Sequence, residues 1–199
     1  MNNKKILLGV FVLVALIQLF VPANMIWSRE KVLSEGTEYK FKTAPIDPND
    51  PFRGKYISLN FEQNTVEVEN ADDWIMEQEV YAILTKDEDG YAKISSVEKE
   101  RPDGEEEYVQ AKAFFVSFNG SNKLSLEFPF DRFYMEESKA YDAELVYRES
   151  QIDSSQVTYA LVSIKNGEAV LKDVMIDGVS IKEIVKSNKD REAEEKTDL

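Results

Sequence analysis

The stretch EVYAILTKDEDGYAKISSV, residues 79–97, decides how the rest of the chain is read. Residues 79–85 and 91–97 are two short runs rich in aliphatic, β-branched and aromatic side chains, and Lys86, Asp87, Glu88, Asp89 and Gly90 stand between them. Asp-Gly between such runs signals a β-hairpin, because glycine takes the positive φ of a tight turn without steric cost. The same grammar recurs downstream. Residues 108–118 and 123–128 flank Asn119-Gly120-Ser121-Asn122, and residues 157–164 and 169–176 flank Lys165-Asn166-Gly167.

Working outward toward the N-terminus, Tyr39, Phe41 and Thr43 alternate with Lys40 and Lys42, the period of a half-buried strand. That strand stops at Pro45, Pro48 and Pro51, which with Asp47, Asn49 and Asp50 predict a stiff irregular loop, since proline cannot donate to a ladder. From Arg53 alternation resumes, with Tyr56, Ser58 and Asn60 on one face and Ile57, Leu59 and Phe61 on the other. Toward the C-terminus, residues 135–148 read as a helix carrying Ala140, Ala143, Leu145 and Tyr147. Asp177-Gly178 predicts a turn into a short strand, followed by a helical turn at 181–185. Residues 186–199 mix charges without an apolar stripe and read as a disordered tail. Hairpins outnumber helices, so the expected class is β-rich α+β, either a mainly antiparallel sheet or a partly open barrel.

Ahead of this lies ILLGVFVLVALIQLFV, residues 6–21, with Lys4 and Lys5 before it and Trp27 after it. Extended to Trp27, the segment spans about 33 Å as a helix at about 1.5 Å per residue, against about 30 Å of bilayer hydrocarbon. The lysines orient its start toward the cytoplasm, and Trp27 falls where an interfacial aromatic belongs. The alternative is a leader cleaved after Ala23, since Val21-Pro22-Ala23 offers small residues at the inspected positions. Both readings put the rest of the chain outside the cytoplasm. The expected organisation is a cytoplasmic start at 1–5, a transmembrane signal-anchor at 6–27, one extracytoplasmic domain at 28–185 and the tail at 186–199. Residues 29–35 are expected to prolong the helix, with Gly36 as a left-handed cap.

Composition narrows function by exclusion. With 43% hydrophobic and 11% aromatic residues, eight glycines and six prolines, the 199 residues suffice for one folded domain. Net charge is −14, and residues 1–34 contribute +3 through Lys4, Lys5, Arg29 and Lys31 against Glu30, so the remainder carries −17. Such a domain repels phosphate backbones, which argues against nucleic acid, and repels anionic headgroups, so membrane contact is expected from the anchor alone. There is no cysteine and no histidine. Disulfides, thiolate nucleophiles and thiolate metal sites are excluded, and the commonest general base is missing.

Asp47, Asp50, Arg53 and Tyr56 surround the stiff loop and form a candidate ligand or partner site, although Asx turns and a local Asp–Arg pair explain the same residues structurally. Arg132 and Glu136, near Asp131, join them as candidates. Asp47, Asn49 and Asp50 fall short of the roughly six to eight oxygens a calcium loop needs, so neither metal nor cofactor is expected. Lys55 and Ser58, three apart in a strand, point to opposite faces and cannot form a catalytic pair. Phe114, Phe115, Phe118, Phe128, Phe130, Phe133 and Tyr134 are expected in the core, and an exposed cluster of them would instead mark a binding surface.

Gly54-Lys55-Tyr56-Ile57-Ser58-Leu59-Asn60-Phe61 resembles the motif of the GDYXXLXY family, supported by Val21-Pro22-Ala23, the run from Thr43 to Arg53, Asp131 to Glu136, Asn166 to Ala169 and Ile176-Asp177-Gly178. Lys55 replaces the motif's Asp and Phe61 its final Tyr. The resemblance implies a membrane-anchored protein found beside multi-spanning membrane proteins, and no assigned catalytic residue. Gly54, Leu59 and Phe61 are read as the structural part of the motif. The expected function is a tethered extracytoplasmic interaction or ligand-binding module, accessory to a membrane protein. The alternative is a carboxylate-dependent envelope hydrolase.

Overall fold

A computed structural model describes residues 3–45, 56–116, 122–153 and 155–197. Asp47, Asp50, Arg53, Gly54, Lys55 and Phe118, and residues 119–121 of the turn expected at 119–122, lie outside the described residues.

The 79–97 hairpin forms as its residues dictate. β5 (Glu79–Lys86) pairs antiparallel with β6 (Ala92–Glu98). The Asp87 carboxylate accepts the N–H groups of Asp89 and Tyr91 at 3.1 and 2.7 Å, and Gly90 takes φ +81°. β7 (Tyr108–Val116) and β8 (Lys123–Glu127) add to the same sheet, and β4 (Thr65–Glu67) closes its edge, giving the order β4-β8-β7-β5-β6.

The second five-stranded sheet has the order β12-β11-β10-β1-β3. It comprises β1 (Thr37–Ala44), β3 (Asn60–Phe61), β10 (Thr158–Lys165), β11 (Glu168–Ile176) and β12 (Val179–Ser180). β1 buries Tyr39, Phe41 and Thr43, the face that alternation indicated. Two two-residue turns with positive φ at both positions, Asn166-Gly167 and Asp177-Gly178, make its hairpins. Among the described residues all strand ladders are antiparallel and no sheet closes into a barrel, so the open-sheet form of the expectation holds.

The sheets are stitched together where Val109 bridges Gly167 and the Gln110 N–H donates to the Gly167 carbonyl at 3.0 Å. The core between them centres on Phe41, Phe61, Phe128 and Phe130, with ring centroids 5.0 to 5.9 Å apart. β2 (Tyr56–Ser58) and β9 (Arg132–Tyr134) form a separate ribbon.

α2 (Glu137–Ile152) buries Ala140, Ala143, Tyr147 and Ser150, spaced three and four apart along one stripe. α3 (Ile181–Thr197) corrects the sequence reading: one helix takes in the short turn expected at 181–185 and the expected tail as far as residue 197. Ile181 and Val185 bury its first turns, and farther along Lys189 donates to the Ser138 carbonyl at 2.6 Å and pairs with Asp142 at 3.0 Å. Polar contacts to α2 supply what an apolar stripe does not.

α1 (Asn3–Glu35) is one unbroken helix with Pro22 inside it. It is long and apolar enough to cross a membrane, and its apolar portion is not buried in the domain. Of the aromatics expected in the core, Phe128, Phe130 and Phe133 are buried, whereas Phe114 and Tyr134 are exposed because they lie on outward faces of β7 and β9.

Candidate functional site

The last turns of α1 are packed on the β10–β11 hairpin. Ser28 Oγ donates to Glu168 Oε2 at 2.9 Å and Arg29 Nη1 to the Ala169 carbonyl at 3.0 Å. The buried Ser163 hydroxyl donates to the Val32 carbonyl at 2.6 Å. Glu35 pairs with Lys165, whose hydrogen bond holds the Glu35 carboxyl below its ordinary range. Gly36 comes next, and it is not the left-handed cap its position suggested: positive φ among the described glycines occurs at Gly90, Gly167 and Gly178. Its requirement is closeness. A Cβ there would sit 2.5 Å from Ser163 Oγ and 2.9 Å from the Ile164 carbonyl.

Because the helix lies across the hairpin that bridges the two sheets, an open cleft of about 530 Å³ forms on its side. That size lies within the usual range for small-molecule sites, about 300–1,000 Å³. Met25, Ser28 and Arg29 of α1 form one wall. Glu79, Gln110, Lys112 and Glu127 of the β5-β7-β8 face form another, and the segment Phe128 to Arg132 with the hairpin tip completes it.

Strand register places the charges. Glu79 lies opposite Lys112 and Lys112 opposite Glu127, so the three form a cross-strand row. The Lys112 ammonium reaches instead to Glu77 at 3.3 Å. The side-chain carboxylates of Glu79 and Glu127 make no hydrogen bond or ion pair with any described residue and can meet a cation or a hydrogen-bond donor. Arg29 and Arg132 supply fixed positive charge on the other sides. The cleft thus offers both signs of charge over an apolar floor that includes Ala111 and Phe128. Among the described residues, no group of three or more carboxylates is placed to hold a metal ion.

The candidate residues named from sequence divide. Arg132 lines the cleft, and its guanidinium lies 5.2 Å over the Tyr56 ring, which itself packs on Tyr134 at 5.5 Å. A hydrogen bond with Tyr134, then the Asp131 charge, push the Arg132 pKa further up, so it stays cationic. Glu136 lies apart, at the start of α2, where it makes no side-chain cap. It pairs with Lys139 at 2.7 Å, and that bond holds its pKa down. Leu59 and Phe61 are buried. Asp47, Asp50 and Arg53 lie outside the described residues, as does Gly54.

Ser28, Arg29, Glu79, Lys112, Glu127 and Glu168 were not singled out from sequence. Arg29, the first charge after the apolar run, carried a usable signal, whereas the Glu79-Lys112-Glu127 row exists only once strand pairing is known.

No curated protein and no solved structure matches the chain. The family model described as GDYXXLXY protein matches residues 18–174, from the apolar helix through most of β11. That match takes in every wall of the cleft and the motif at 54–61, and the chain therefore belongs to the GDYXXLXY family.

Proposed function

We propose that the chain is a single-pass membrane protein, N-terminus in the cytoplasm, whose β-rich domain is an extracytoplasmic binding module working beside a membrane protein. Lys4 and Lys5 ahead of the apolar run support the orientation. The observation that carries the functional reading is the shared construction of the cleft: one wall is the helix that anchors the chain, the other the sheet that the helix is packed on. With Trp27 at the membrane boundary, Ser28 and Arg29 open the cleft at headgroup level. A partner or ligand held there by Arg29, Arg132, Glu79 and Glu127 is held against the bilayer. Charges of both signs suit a complementary polar partner and favour specificity.

The test is photo-crosslinking in native membranes. With a photoreactive residue at Gln110, inside the cleft, the full chain is expected to give a discrete adduct that disappears in the Arg132→Glu background. The same residue at Glu88, in the turn at the other end of β5, is expected to give none. Equal labelling from both positions, or no adduct from Gln110, would overturn the reading.

A further inference from the structure

The turn before β5 exposes apolar side chains although it is tightly built. Ile75 and Met76 are 72% and 60% exposed. The Ile75 N–H donates to Gln78 Oε1 at 3.2 Å, and the Gln78 N–H returns to the Ile75 carbonyl at 3.1 Å. Glu77 adopts φ +65°, a conformation disfavoured for a side chain of its size, and its N–H is held by the Ala113 carbonyl at 2.7 Å. Phe114, 56% exposed, lies beside it in β7. The β7–β8 register shifts there, pairing Ala113 with Leu126 and Phe115 with Ser125, so Phe114 stands in a bulge outside the ladder. An ordered turn and a bulge therefore present three large apolar side chains together.

We propose that Ile75, Met76 and Phe114 form a foot that dips into the lipid surface beside α1. The proposal rests on the reading of residues 6–27 as a membrane span. Position carries it. Lys112 and Glu79 line the same cleft as Met25, a residue at the lipid end of the exit turn. Phe114 is two residues beyond Lys112 on the same strand face, about 7 Å at 3.3 Å per residue. Ile75 and Met76 directly precede Glu77, whose carboxylate holds Lys112 at 3.3 Å. The foot therefore stands within a few residues' reach of the point where the anchor leaves the membrane. Docking of Ser28, Arg29 and Val32 onto the hairpin removes slack from the connection, so the domain cannot stand off from the bilayer. A domain carrying −17 cannot adhere to an anionic surface by charge, whereas apolar side chains beside the Glu77–Lys112 ion pair can enter an uncharged lipid surface. Contact with lipid is thus assigned to the domain as well as to the anchor.

The chain has no cysteine, so single spin labels can be placed without background. The full-length protein in phosphatidylcholine vesicles would carry a label at Ile75→Cys, Phe114→Cys, Glu88→Cys or Val14→Cys. Collisions are measured with oxygen, which partitions into lipid, and with a water-soluble nickel chelate. At Ile75 and Phe114 the nickel collision rate is expected to be several-fold lower than at Glu88, with oxygen collisions raised. Nickel access at both positions equal to that at Glu88 would overturn the foot. Shielding from both reagents would mean a protein cover and would equally overturn it. The label at Val14, within the apolar run, separates the two levels of inference: if it too is exposed to nickel, the membrane span itself fails, whereas a lipid-buried Val14 with an exposed Phe114 sinks the foot alone.

Discussion

Gly36 and Gly90 both read from sequence as left-handed glycines, one capping a helix and one in a turn, yet they are needed for different reasons. Gly90 has φ +81° and open space around its Cβ position, so replacement costs only the left-handed conformation, about 1–2 kcal/mol. Gly36 faces the Val32 and Ile164 carbonyls and the Ser163 hydroxyl, where any side chain forces the helix off the hairpin. Gly36→Ala is expected to lower stability by about 1–3 kcal/mol, as overpacking does. It should also loosen the contacts of Ser28 and Arg29, which Gly90→Ala leaves intact. Thermal unfolding of the detergent-solubilised chain, with proteolysis after Arg29 as the local readout, checks both. Equal proteolysis of the two variants would contradict the steric role. A glycine's position in sequence indicates a turn; which of its two properties is used depends on what the fold brings near it.

At the scale of elements, the hairpins and the end of α1 at Glu35 were legible, whereas the extent of α3 was not. The 79–97, 108–128 and 157–176 pairs each carry local turn chemistry or alternation that needs no tertiary information, and all three form. α3 carries no apolar signature beyond Val185 because its later turns are held by Lys189 on Ser138 and Asp142, contacts invisible to apolar periodicity. β2 and β3 show the intermediate case. Alternation put Ile57, Leu59 and Phe61 on one face, and all three are buried, but the strand breaks at Leu59 and its halves pair with β9 and β1. Phe61, ending the family motif, packs on Phe41, Phe128 and Phe130 at 5.3 to 5.9 Å. Phe61→Ala is expected to cost about 3–5 kcal/mol in denaturant unfolding, the usual range for a buried aromatic. Tyr134→Ala, on an exposed face, should cost under about 1 kcal/mol. A Phe61→Ala loss as small as that for Tyr134 would remove the motif's end from the core.

For the whole molecule, the governing feature is the continuity of α1 with the domain. Sequence displayed the apolar helix and the strands separately, with no sign that Ser163, inside a strand, holds a helical carbonyl 131 positions away. The cleft was unreadable for the same reason: its charges come from α1, β5, β7, β8, the start of β9 and the hairpin tip, and of them only Arg132 is a candidate by sequence. If the helix were a loose tether, neither a cleft shared with the anchor nor a lipid-contacting foot would have a fixed place. The direct measurement is the distance distribution between spin labels at Val21→Cys on α1 and Asp89→Cys in the β5–β6 turn, in the full chain in lipid nanodiscs. A single narrow distribution means that helix and domain move as one body, as the account requires. A broad distribution, typical of a domain swinging on a free linker at Gly36, would contradict it.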